Sequence, residues 1–211
     1  MSRCLQVVLG VMLLSPFAFA QVINQGVLDA YQVRYAANLA AGDSFVNLTN
    51  AGDVPVEEWS AVVNADPVGD MCANVYVFAE DQQLIACCSC PLTPNHLRTL
   101  SVNNDLISNT LTPGVPIGVT VALLAVADQG ACDAANVTAA QLAPGLRAWG
   151  TTIHALPGGG YGVSETAFSP AELSASELSK LTAYCGFIEA NGSGYGICKS
   201  CANGAAGAAR Q

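Results

Sequence analysis

Charge is scarce in this chain: 11% of its 211 residues are Asp, Glu, Lys or Arg, against about 25% in an average soluble domain. Lys and Arg number 7 and Asp and Glu 16, which leaves a formal charge of −9. So few cations exclude nucleic acid as a partner, because nothing displaces the counterions around phosphates. Histidine is scarcer still, with only His96 and His154. No H-E-x-x-H pair exists for zinc, and a Ser–His–acid relay has one of these two as its only possible base. The nucleophile elbow G-x-S-x-G is also missing, since Gly162-Val163-Ser164-Glu165 fails at the last glycine. No calcium loop of the D-x-[DN]-x-[DN]-G type occurs. What remains abundant is apolar residues, at 52%, which excludes a disordered chain.

The apolar residues are unevenly placed. Arg3 precedes the run Leu5 to Leu14, and Ala18-Phe19-Ala20 follows with the small residues that signal peptidase accepts. That run is about half the roughly 20 residues a membrane-crossing helix needs. Residues 1–20 therefore read as a signal peptide cut before Gln21, with Cys4 lost alongside them. The mature chain is expected to be secreted, extracellular or periplasmic, with no membrane span. Residues 21–200 read as a single β-rich domain, and 201–211 as a mobile Gly/Ala tail.

Period-2 alternation predicts strands at Tyr31 to Tyr35 and at Ser44 to Asn50. Met71 to Cys90 reads as a hairpin turning at Glu80, Asp81 and Gln82, its near-continuous apolar arms implying burial on both faces. Gly118 to Ala127, Leu146 to Ala155 and Tyr161 to Phe168 complete the set, the last two joined by a Gly-rich turn. Ser169-Pro170-Ala171-Glu172 carries a capping-box pattern with Pro at the first helical position, so a helix is expected from Ser169 to Gly186. A small hairpin turning at Asn191 to Gly194 should follow. The expected fold is mainly β: an antiparallel β-sandwich of about seven or eight strands with one C-terminal helix and a disulfide-stabilised hairpin. Its core should draw on Val75, Val77, Phe78, Leu84, Val121, Leu123, Trp149 and Ile153.

Eight cysteines remain after cleavage: Cys72, Cys87, Cys88, Cys90, Cys132, Cys185, Cys198 and Cys201. An even count in an exported chain reads as a disulfide framework. A loop at 80–82 sets Cys72 opposite Cys90, or opposite Cys88 after a slip, and turns Cys87 to the other face. The C-terminal hairpin should bring Cys185 near Cys198 and Cys201. Cys198-Lys199-Ser200-Cys201 also matches a zinc or redox C-x-x-C, but it lacks the helix N-terminus that lowers a redox thiol's pKa and a fourth ligand nearby. All eight are therefore assigned to structural bridges, with no metal ligand, cofactor or catalytic residue. Acid pairs such as Glu57 with Asp81, or Asp70 with Glu165, are candidates for glycoside hydrolysis that the spacing does not single out.

The runs NVYVFAEDQQLIACCSCPLTPNHLRTLSVNNDL and GFIEANGSGYGICKSC resemble those of uncharacterised secreted cysteine-containing bacterial proteins, acidobacterial in type. The resemblance covers most of the mature chain. It implies export and bridged cysteines, and brings no activity or cofactor. The functional expectation is a non-catalytic secreted structural or interaction module, meeting other copies of itself or extracellular and cell-surface components. The alternatives are a small secreted hydrolase using a carboxylate pair and a thiolate metal-binding protein.

Overall fold

The structure, a computed structural model, describes residues 21–52, 69–128 and 130–201. The expected signal peptide, Glu57 and the tail beyond Cys201 lie outside the described residues. Nine strands form two antiparallel sheets: β1 (Tyr31–Ala36), β2 (Gly42–Asn50), β3 (Met71–Phe78), β4 (Leu84–Leu92), β5 (Leu97–Ser101), β6 (Val119–Ala127), β7 (Leu146–Ala155), β8 (Tyr161–Ala167) and the two-residue β9 (Ser169–Pro170). One sheet has the order β4-β3-β6-β1-β9 and the other β5-β2-β7-β8. Among the described residues a single α-helix, α1 (Ala175–Asn191), follows them.

Side-chain alternation assigns the two faces of the first sheet. Gln32 and Arg34 of β1 point inward: Gln32 Nε2 donates to the Leu146 carbonyl of β7 at 2.9 Å, and the Arg34 guanidinium reaches Ser44, Thr152 and Thr166 of the second sheet. Through the registers of β1, β6 and β3, the same inner face carries Leu123, Val121, Val75 and Val77. All four are buried, opposite Val46, Leu48, Leu146 and Ala148. The outer face lies under α1 and the segment after Cys132. This double cover explains why β3 is buried from Met71 to Val77 and β4 from Leu84 to Cys90.

The core departs from expectation on β7. Trp149 and Ile153 do share a face, but it is the outer one, beside Asn47 and Thr151, and both are only half-buried. The inner positions are Leu146, Ala148 and Gly150, and the small side chains of the latter two make an alternation weaker than that of the bulky pair. Phe78 is likewise only partly buried.

The helix begins later than the capping pattern at Ser169 suggests. Ser169 and Pro170 pair instead with Val33 and Gln32. Fully buried Asn24 then holds the next residues extended: its Nδ2 donates to the Ala171 carbonyl at 2.8 Å and its Oδ1 accepts from the Leu173 N–H at 2.9 Å. With those backbone groups already bonded, helix initiation passes to a second S-x-x-E, Ser174 to Glu177, where the Ser174 hydroxyl accepts from the Glu177 N–H at 3.0 Å. Leu178, Leu181, Cys185 and Ile188 form the buried stripe. Gly186 does not stop the helix, which runs on to Asn191 and ends at Gly192, with φ of 65°. The expected hairpin at 191–194 is replaced by this cap.

Candidate functional site

All eight cysteines among the described residues are bridged: Cys72–Cys132, Cys87–Cys185, Cys88–Cys198 and Cys90–Cys201, with Cα separations of 5.4, 5.8, 5.5 and 4.8 Å. Two pairings differ from those the hairpin geometry suggests. A register shift between Val77 and Phe78 sets Cys72 opposite Pro91 rather than Cys90 or Cys88. Cys72 then shares the outer face with Tyr76, whose hydroxyl donates to the Ala134 carbonyl at 2.7 Å, and meets Cys132 there. Cys185 does not meet Cys198 or Cys201, because α1 carries it onto Cys87, which does face away from Cys88 and Cys90. The chain returns beside β4, with the Cys87 N–H donating to the Gly196 carbonyl at 2.9 Å. That return brings Cys198 and Cys201 to Cys88 and Cys90. Three bridges thus fasten β4 to the C-terminal segment, and no bridge joins the two arms of the hairpin to each other. Cys201, the first residue of the expected tail, is buried in the last of them.

The sulfurs of Cys88, Cys90 and Cys201 lie within 4.8 Å of one another. Zinc binds thiolate, and these atoms are held as disulfides. The histidines do not converge either. His154 pairs with Gly42 at one end of β2, whereas His96 precedes Leu97, which pairs with Thr49 at the other. Asp70 immediately precedes β3 of the first sheet, whereas Glu165 lies on β8 of the second. Glu165 accepts a bond from the Thr151 hydroxyl at 3.0 Å, and burial together with Asp128 raises the pKa of Asp70.

A concavity lies elsewhere, on the outer face of the first sheet beside α1. It is a cleft of about 620 Å³. Val33, Thr120 and Ala122 make a shallow floor, since short side chains there leave a hollow. Tyr31, Tyr35 and Phe78 rise around it, the hairpin tip contributes Glu80 and Gln82, and α1 contributes Glu177, Lys180 and Tyr184. Burial, reinforced by Glu177, pushes the Tyr31 hydroxyl up to about 12, so it remains a neutral phenol. Tyr35 is held over Gly118: a Cβ at that position would meet the Tyr35 hydroxyl at 2.5 Å and Glu80 Oε1 at 3.3 Å. Those two polar atoms therefore converge on one wall. A second hollow of about 230 Å³ adjoins the first, sharing Gln82 and Tyr184 and adding Gln83, Phe187 and Ile188.

None of these cleft residues belongs to the acid pairs that the sequence suggested. A signal was nevertheless present. Once Leu178, Leu181 and Cys185 define the buried stripe, Tyr184 and Phe187 fall off it as aromatic residues on a solvent-facing surface.

Neither a protein-family model nor a curated protein matches the chain. Among solved structures, the chain is similar to the crystal structure of Thermotoga maritima 1070, with 11% identity over 68% of this chain and 94% of that one and a TM-score of 0.38. So low a score carries no argument.

Proposed function

We propose that the protein is a secreted, non-catalytic interaction module that associates with a second copy of itself through β8. The observation that carries this reading is the state of that edge. Among the described residues β8 is the outermost strand of its sheet, paired only with β7. Tyr161 and Val163 are 72% and 63% exposed. Natural edge strands are blunted by Lys, Pro, bulges or a covering loop. Tyr161–Ala167 has no Lys or Pro, pairs without a register shift, and carries one charge, Glu165.

The strand is also self-complementary. Antiparallel pairing with another β8 about a two-fold axis through Ser164 sets Tyr161 opposite Ala167, Gly162 opposite Thr166 and Val163 opposite Glu165. No like charges oppose each other in that register. Export is supported by the bridging of every mature cysteine, since such bridges persist outside the cytoplasm. No helix among the described residues is long and apolar enough to cross a membrane.

Sedimentation equilibrium across a concentration series tests the reading. A dimer is expected, and Ser164→Lys should abolish it by placing two ammonium groups face to face, with Ser164→Val retaining it. A wild-type protein that stays monomeric at every concentration refutes self-association.

A further inference from the structure

We infer that the groove running along α1 is a binding site for a neutral oligosaccharide. The groove is the 620 Å³ cleft together with the adjoining 230 Å³ hollow, joined where Gln82 faces Tyr184. From Glu177 to Ile188 the helix rises about 16 Å, so the groove is elongated and suits a short polymer segment rather than a single small molecule.

Its chemistry selects the ligand. Tyr35, Tyr184 and Phe187 are 60%, 49% and 65% exposed, which makes them poor core residues and flat apolar platforms at the protein surface. An aromatic ring that is apolar on its faces suits a partner with apolar C–H faces of its own. Between the rings stand both donors and acceptors: the amides of Gln82 and Gln83, the carboxylates of Glu80 and Glu177, and the Lys180 ammonium. A purely apolar ligand leaves these groups desolvated and unpaired, at a cost. The Glu80 and Glu177 carboxylates repel an anionic ligand, and the Lys180 ammonium offsets part of their attraction for a cationic one. A pyranose chain is uncharged, has C–H faces to stack, and carries hydroxyls that both donate and accept.

The groove is also held in shape before any ligand arrives. Cys185, between Tyr184 and Phe187 on the helix, is covalently tied to Cys87 of β4. The opposite wall is the tip of the β3–β4 hairpin, closed by bonds from the Gln82 N–H to the Ala79 carbonyl and from the Ala79 N–H to the Gln83 carbonyl, both 3.0 Å. Rigid walls reduce the ordering that binding must otherwise impose.

The test uses the whole disulfide-bonded protein. Tetramers of β-linked and α-linked glucose, xylose and N-acetylglucosamine, with a proline-rich peptide as a contrasting aromatic-groove ligand, are titrated by calorimetry and by tyrosine difference absorbance. Saturable binding of at least one tetramer is expected, weakened tenfold or more in Tyr184→Ala and in Tyr35→Ala. Tyr161→Ala, on remote β8, should leave it unchanged. Both groove tyrosines are exposed, so far-ultraviolet circular dichroism and the unfolding midpoint of the Cys87–Cys185-bridged variants should match wild type; Gln82→Ala, at the opposite wall, provides a further weakened variant that removes no aromatic ring. No binding across the sugar panel, binding of the peptide alone, or sugar binding that survives the groove variants each overturns the proposal. Self-association through β8 is read separately, because a monomeric Ser164→Lys protein should still bind the sugar.

Discussion

The Arg34 guanidinium occupies the space that a side chain on Gly150 would take. A Cβ at position 150 would lie 2.0 Å from Arg34 Cζ and Nη1. The missing side chain lets a cation enter between the sheets and donate to three hydroxyls, Thr166 at 2.8 Å, Thr152 at 3.0 Å and Ser44 at 3.1 Å. Burial lowers the Arg34 pKa, yet the guanidinium stays charged because its ordinary value is so high. Gly150→Ala should therefore destabilise the fold by about 2–4 kcal/mol, through overpacking and loss of those bonds. Denaturant unfolding measures it. In the Gly150→Ala/Arg34→Ala pair the combined loss should be smaller than the sum of the single losses, since the clash has gone.

A pH dependence follows from Glu189. Burial, and then repulsion by Asp133, push its carboxyl from 4.5 up to about 7. A raised folded-state value favours the protonated form. The stabilisation is fully present below about 4.5 and is lost as pH rises through about 7. The side chain is partly exposed, so screening reduces the effect to about 1 kcal/mol. Glu189→Gln should raise the unfolding midpoint above pH 7 and flatten its slope between pH 4.5 and 7. An unchanged slope in that window refutes the assignment.

Much of this fold is legible in local pattern. The alternation at β1 and β2, the double-sided burial of β3, β4 and β6, and the limits of β7 all follow from side-chain periodicity. The parts that escape depend on partners distant in sequence. The helix start is decided by Asn24, which occupies the Ala171 and Leu173 backbone groups from 149 residues away in the latter case. The Cys72 pairing depends on a bulge at Val77, and the inner face of β7 depends on Arg34 crossing from the other sheet. The cleft escapes for the same reason: its walls come from β1, a hairpin tip and α1, which no window along the chain contains together.

Asn24 itself is open to test. Its two bonds replace the intrahelical bonds that an earlier helix start would supply. Asn24→Ala should cost about 2–3 kcal/mol, because it leaves a carbonyl and an N–H unpaired in a buried setting. The companion change Ser174→Ala should cost about 1 kcal/mol, the value of an N-cap hydroxyl. Thermal unfolding followed at the far-ultraviolet helix band separates the two. Equal losses would show that Asn24 has no special part in placing the helix.

The bridges make a graded prediction. Cys87–Cys185 and Cys72–Cys132 span 98 and 60 residues, so in the chain-entropy picture each stabilises by about 4 kcal/mol with little difference between them. Their structural consequences differ more than their energies. Cys87→Ala/Cys185→Ala frees α1 from β4, and amide hydrogen exchange should rise through Leu178 to Ile188. Cys72→Ala/Cys132→Ala should instead loosen the segment around Ala134 and leave α1 protected. Thiol titration of the unreduced, unfolded protein should find no free sulfur among the eight bridged cysteines. Four free thiols would mean that two bridges are absent, and peptide mapping that places them at Cys88, Cys90, Cys198 and Cys201 would leave the clustered sulfurs of Cys88, Cys90 and Cys201 available as thiolates for a metal.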